Sequence, residues 1–326
     1  MPEPLPSPAE ELATEEAREG LPVDAGTREI AAVVAVPGVT AARRRKKPFG
    51  IGAWFALGWL VFVIGIALLA PILPLKDPIN WSDPALKLQG PQWGHLLGLD
   101  QGGHDMLSLL VWGARPSLVI GFGSIAIGFV VGGTFGLIAG YFRGFIGELL
   151  GGLFDIMLAI PAVILALAIV AATSASVTEN TGSHITNVTI ALAIVSVPIL
   201  GRITRASALS WSDREFVLAA RAQGASHFRI LWREILPNVL PAMFSIAVLG
   251  IAVAIVAEGA LAILGAGVNA ASTPSWGNII VGGQSSLSDA GYIVIEASIA
   301  IFLTVLSLNH LGDALRARFD VQEARI

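Results

Sequence analysis

The 326-residue chain is 54% hydrophobic and only 13% charged, with a net charge of −4 at pH 7 and no cysteine. Its mean hydropathy is +0.73. A soluble domain of this length cannot hide so much apolar surface, so the composition points to a polytopic membrane protein, and the lack of cysteine excludes disulfides, thiolate metal sites and a cysteine nucleophile.

The first 48 residues form a tail with no apolar core long enough for a signal peptide. Pro, Glu, Ala and Thr dominate up to Glu29, a composition that predicts disorder. Ile30 to Val36 has the length of a brief interfacial helix. Arg43, Arg44, Arg45, Lys46 and Lys47 then precede the first apolar run and read as a cytoplasmic anchor rather than a nuclear signal. The net charge gives no support for nucleic-acid binding.

A helix needs about 20 residues to cross roughly 30 Å of hydrocarbon. Six runs qualify: 51–70, 117–140, 149–172, 185–203, 239–266 and 291–311. If the chain starts inside, 17 of the 20 Lys and Arg residues lie in the cytoplasm and only Lys76, Lys87 and Arg115 lie outside. That asymmetry predicts both termini in the cytoplasm. The chain then divides into the tail 1–48, a first span with its outer loop (49–116), a transmembrane core (117–312) and a C-terminal tail (313–326).

In the outer segment 71–116, Pro71, Pro74, Pro78, Pro84 and Pro91 exclude continuous helix from the first half. Met106, Leu107, Leu109, Leu110 and Val111 predict a short helix lying on the outer surface. His95, Asp100, His104 and Asp105 have the residue types of a metal site, but nothing in their spacing fixes a geometry, and hydrated loop hydrogen bonding is the simpler expectation. The outer loop at 267–290 carries Thr273-Pro274-Ser275-Trp276-Gly277. Trp276 there suits either an interfacial anchor or a contact with a soluble partner. No internal repeat is evident, so the inverted-repeat pattern of many secondary transporters has no support.

Between the fourth and fifth spans, the segment 205–238 is polar and helix-prone. Ser212-Asp213-Arg214-Glu215 fits a capping box, predicting a helix that starts at Ser212. Phe216, Ala219, Ala220 and Gln223 share one face at i, i+3, i+4, i+7 spacing. Gly224 supplies the stop, Ser226 restarts a helix, and Pro237 marks its end. Glu-x3-Ala-Ala-x3-Gly followed by Pro-Asn resembles the EAA signature of bacterial ABC importer permeases. The resemblance implies that Glu215, Ala219, Ala220 and Gly224 form a helix that docks on a cytoplasmic ATPase, closed by Pro237 and Asn238.

More of the chain is similar to the second permease subunit of dipeptide/oligopeptide importers. His95-Leu96-Leu97-Gly98-Leu99-Asp100, Gly113-Ala114-Arg115-Pro116-Ser117-Leu118, Gly136 to Tyr141, Asp155 to Pro161, Pro274-Ser275-Trp276-Gly277 and Leu311-Gly312-Asp313 carry the likeness. Leu99 stands where that family usually has Thr, and Gly103-His104 where it often has Gly-Arg. The implied fold is all-α, with six transmembrane helices in the type I importer architecture. The implied assembly is a homologous sister permease, two ATPase subunits that hold ATP and Mg, and an extracytoplasmic binding protein, all at a bacterial cell membrane.

Glu258 falls deep in the fifth span, where an acid is a functional candidate. It suits a pore lining, a contact with the sister permease or an interhelical hydrogen bond. Asp155 and Glu296 sit near span ends and suit interfaces, with Asp155 expected at the pore or permease interface and Trp276 and Gly277 in the outer loop. Pro161 and Pro198 predict bends. No G-x-x-x-x-G-K-[ST], H-E-x-x-H or G-x-S-x-G occurs, so the chain offers no phosphate cradle or hydrolase signature of its own. The alternatives are the same fold importing nickel chelates, glutathione, opines or sugars, or an ion-coupled secondary transporter with Glu258 as its coupling carboxylate.

Overall fold

The computed structural model describes residues 50–174, 181–269 and 273–323. The expectations for the tail 1–48 lie outside these. Helix α1 spans Ile51–Leu69. A long loop with one 3-10 turn at Pro84–Leu86 leads to α2, Met106–Tyr141. Helices α3 (Phe145–Ala159) and α4 (Ala162–Ser174) follow, then α5, Thr181–Ser212. The short α6 (Glu215–Ala222) precedes α7 (His227–Arg229), a π-helical stretch (Ile230–Ile235) and α8 (Leu236–Ile263). The chain closes with α9 (Trp276–Gly283) and α10 (Tyr292–Glu323). Among the described residues, five helices are long and apolar enough to cross a membrane, or six if the bent pair α3–α4 counts as one span.

Several boundaries differ from the sequence expectation, each for a local reason. No separate surface helix forms at Met106–Val111. Asp105 caps the helix by accepting the Ser108 N–H at 3.1 Å, and α2 then runs unbroken through Pro116. Ala114, Pro116 and Ser117 are all buried, and packing on that face holds the turn whose backbone bond the proline deletes. Pro161 has the opposite outcome. Ile160 before it is extended (φ −87°, ψ 129°), as the pyrrolidine ring demands of its predecessor. The expected span 149–172 is therefore two helices bent by 90°. Residues 159–164 are exposed and have no packing to resist the break.

Pro237 does not end a helix either. The Leu236 N–H bonds to Leu231 O, five residues back, and this wider π turn absorbs the register change before the proline. His227 to Ile263 is thus one continuous helix. At the other end of the segment, α5 extends past 203 to Ser212 because Ala208, Trp211 and Ser212 are buried.

The tightest contact in the bundle is between α2 and α5. Gly128, Gly132, Gly136 and Gly140 recur every fourth residue and face Ser196, Val197, Gly201, Thr204, Arg205 and Ala208. A Cβ on Gly136 would lie 2.8 Å from Thr204 Cβ, and one on Gly140 would lie 2.6 Å from Ala208 Cβ. Lipid tails are as apolar as leucine, so such close backbone packing replaces the hydrophobic drive between helices. The outer surface matches that solvent: Phe55, Phe62, Val130, Phe135 and Phe302 all point outward. Helix α8 also packs on α2, and α10 packs on α8 and α1, with Ile251, Ile255, Ile293 and Ala297 in the core. The indole of Trp59 on α1 donates to Thr304 Oγ1 on α10 at 3.1 Å.

Candidate functional site

Two ends of the bundle carry polar structure. The hairpin end holds α6 and α7; the loop end holds residues 71–105, 264–269 and 273–291.

At the hairpin end, the capping box is not made. Ser212 is the last residue of α5, and its hydroxyl donates to Leu209 O at 2.9 Å. Arg214 takes the N-cap position instead, without a side-chain cap bond. Glu215 opens α6 and Arg221 sits in its last turn, charges that complement the helix dipole. The helix stops in a Schellman arrangement: Ala225 N–H donates to Ala220 O and Gly224 N–H to Arg221 O. Gly224 adopts φ +78° with open space where a Cβ would stand. Ser226 caps α7 by accepting the Arg229 N–H at 3.4 Å. Asn238 donates its side-chain amide to Glu234 O at 2.6 Å, while Pro237 beside it is exposed.

Glu215, Ala219 and Gly224 are exposed on this peg, and Ala220 is half-buried. The residue that fastens α6 is one that face analysis passed over. Val217 is 0% exposed and packs with Tyr141, Trp211, Ile230 and Ile235. Phe216 and Ala220 are only half-buried against the same cluster. Also missed were three exposed apolar side chains next to the peg: Leu218, Phe228 and Trp232. Phe228 and Trp232 are one helical turn apart with ring centroids 5.9 Å apart, a spacing that could have revealed them.

Near the loop end, Glu258 is 0% exposed and enclosed within this chain. Ser275 Oγ donates to its Oε1 at 2.7 Å and Ser117 Oγ to its Oε2 at 3.3 Å. The Trp276 N–H donates to Ser117 Oγ at 3.2 Å. The network ties α2, α8 and α9 together. Gly277 makes it possible: a Cβ there would lie 2.8 Å from Gly259 Cα and 3.2 Å from Glu258 Oε1. Trp276 is 2% exposed, with Nε1 donating to Leu110 O at 3.0 Å. It is therefore a core residue and neither an interfacial anchor nor an exposed docking side chain, because the indole N–H finds a buried partner on α2.

The acids and histidines of the 71–105 loop form two separate pairs. His95 Nδ1 lies 2.8 Å from Asp105 Oδ2, both buried rather than hydrated, and Lys76 Nζ is 3.0 Å from His95 Nε2. His104 Nδ1 lies 3.0 Å from Asp100 Oδ2. Among the described residues no three such groups converge as metal ligands would. Nearby, backbone N–H groups of Asn80 and Ile79 hold the exposed Asp77 carboxyl below its ordinary pKa. Asp155 on α3 is exposed, with Arg202 Nη1 at 3.6 Å. Glu296 on α10 is half-buried, and its Oε2 has no hydrogen-bond partner among the described residues.

Residues 132–322 match the family model described as binding-protein-dependent transport system inner membrane component. The chain is 38% identical over 267 residues to the dipeptide transport system permease protein DppC of Alkalihalophilus pseudofirmus, which covers 81% of this chain and 85% of that protein. It is 37% identical to the di/tripeptide transport system permease protein DppC of Pseudomonas aeruginosa, over 81% of this chain and 87% of that one. The glutathione transport system permease protein GsiD of Pectobacterium atrosepticum is 34% identical, over 80% and 84%. In fold, the chain is similar to a chain of the MetNI methionine ABC transporter solved in an inward-facing conformation. That match has a TM-score of 0.51 at 20% identity and covers 64% of this chain and 97% of that one.

Proposed function

Since the chain belongs to the family of binding-protein-dependent transport system inner membrane components, we propose that it is the membrane-spanning permease subunit of an ATP-driven importer of short peptides. It is a multi-pass membrane protein, and its role is passage and coupling rather than chemistry. The cargo reading rests on the relatives, which are named for dipeptide, di/tripeptide and glutathione transport. All three are small peptides.

In this reading the hairpin end faces the cytoplasm, as does the majority of the basic residues. A sister permease completes the pore, and two ATPase subunits, which hold ATP and Mg, dock on α6. A binding protein delivers the peptide at the loop end. Glu215, Ala219, Ala220 and Gly224 present the docking surface, and Pro237 and Asn238 lie where the π-helical stretch passes into the following span. The observation that carries the coupling role is the exposed α6–Gly224–α7 peg on an otherwise lipid-suited bundle. Asp155 and the exposed break at Ile160–Pro161 fit the side that meets the sister permease.

The test is co-purification from native membrane under mild detergent, parent chain against Gly224→Asp. At φ +78° any side chain is strained, and aspartate adds charge to the docking surface. A second permease and ATPases should accompany the parent, and the ATPases should be lost from the variant. A lone homo-oligomer from both would sink the reading.

A further inference from the structure

The turn at Gly224 is open to solvent and carries no side chain of its own to stiffen it. What bridges it is Tyr141, the last residue of α2. Three residues before the glycine, the Arg221 guanidinium lies 5.1 Å from the centroid of the Tyr141 ring. Three residues after it, His227 Nδ1 hydrogen-bonds the Tyr141 hydroxyl at 2.8 Å. The Tyr141 and Phe142 rings also meet the His227 ring at 5.6 and 5.7 Å. Tyr141 itself is buried at 5% exposure, in the same cluster as Val217 and Ile230. Two residues on, Arg143 pairs with Asp213 and reaches Ser212 at 3.4 Å, at the entry to the hairpin. Three consecutive residues of α2 and its end thus grip the entry, the docking helix and the exit of one projecting segment.

We propose that Tyr141 is the positioning residue that locks the Gly224 turn and makes the docking helix move with α2. The inference rests on the permease reading above. Its physical content is a division of labour. Val217 fastens α6 to the bundle, and the exposed residues of α6 meet the ATPase. Tyr141 decides whether a push on α6 flexes the turn or displaces the span. An ATPase stroke would otherwise be absorbed at Gly224, whose backbone tolerates wide changes of φ and ψ. Coupling between sites requires an element whose arrangement both sites bias. Here it is the clamp of one phenol on both flanks of a glycine.

Tyr141→Phe deletes only the hydroxyl and leaves the ring, the Arg221 contact and the packing. His227→Ala removes the other partner, and His227→Gln restores a hydrogen-bonding group at that point. The complex of this chain with its sister permease, ATPases and binding protein is reconstituted in vesicles. The readout is ATP hydrolysed per peptide taken up, with a mixture of radiolabelled di- and tripeptides as the probe. The expected result is that Tyr141→Phe and His227→Ala keep their co-purifying ATPases and still hydrolyse ATP. Each should spend about fivefold more ATP per peptide, the factor that one ordinary hydrogen bond contributes to an equilibrium. The double variant should be no worse than either single one, and His227→Gln should recover most of the ratio. An unchanged ratio in both single variants, or additive losses in the double, would overturn the latch while leaving the permease reading intact. Failure of the parent complex to take up any probe with ATP would remove the permease reading and the latch together.

Discussion

Truncating Val217 to alanine should loosen α6 without unfolding the protein. Helix α6 has eight residues, its N-cap makes no side-chain bond, and Val217 is its one fully buried side chain. A helix this short is unstable by itself in water, so its order depends on that anchor. Val→Ala removes two methyl groups, worth about 0.8 kcal/mol each in transfer free energy. A cavity left among Tyr141, Trp211 and Ile230 raises the cost to about 2.5 kcal/mol. The equilibrium for local detachment of α6 should therefore rise between about 15- and 70-fold. Hydrogen exchange with mass spectrometry reads this directly. The amides of Leu218 and Gln223, which donate to Arg214 O and Ala219 O, should exchange faster by that factor. Those of α2 and α5 should not change. If exchange in 215–223 stays within about twofold of the parent, Val217 is not the anchor. If every helix exchanges faster together, α6 is not an independently opening unit and the reasoning fails as well.

Two further substitutions test the packing behind the site. Glu258→Leu removes the acceptor of two buried hydroxyls, Ser117 and Ser275, at about 1–3 kcal/mol each. Its thermal midpoint in detergent should fall well below that of Glu258→Gln, which keeps an acceptor for Ser275. The Gln variant should assemble normally yet take up less peptide, and full uptake would leave the carboxylate with a packing role alone. Gly136→Val places branched carbon against Thr204 Cβ and the Gly201 backbone. It should cost about 1–3 kcal/mol or more by overpacking. An unshifted melting curve would mean that α2 and α5 are not in backbone contact.

Composition and hydropathy made the spans legible, because crossing a bilayer demands long apolar runs whatever the partners. What they could not resolve is the effect of each proline. Pro116 and Pro161 carry the same local signal, yet one is passed through and the other breaks its helix by 90°. The difference is burial: Pro116 sits between buried Ala114 and Ser117, while Pro161 lies in an exposed stretch. Ser212 failed as a cap for a related reason. The pattern for capping was present, but burial of Ala208 and Trp211 carried α5 on to Ser212 and left its hydroxyl to a carbonyl of that helix. The surroundings of Trp276 were beyond any local pattern, since its indole bonds to Leu110, 166 positions away. The segment 212–236 was readable as a helix, a glycine stop and a second helix. Its face was not, because alanine spacing marks where another backbone can approach and not which side is already taken by Val217.

The architecture also sets where a displacement entering at α6 can go. Helix α2 meets the hairpin through Tyr141 and Arg143, and along its length its glycines lie against the backbone of α5. Toward the loop end it holds Ser117 against Glu258 and Leu110 against Trp276. Separating α2 from α5 would forfeit backbone-distance contacts that nothing in lipid replaces, so the pair behaves as one body from hairpin to loop. The bent pair α3–α4 is held differently. Residues 159–164 are exposed, and the Asp155–Arg202 pair that ties α3 to α5 is a solvent-facing contact at 3.6 Å, worth about 0–1 kcal/mol. Gly151 and Gly147 bring α3 close at its first turns, while the stretch near Pro161 has no such seam. The stiff part of the subunit is therefore the one that the hairpin grips, and the compliant part is the break at Pro161.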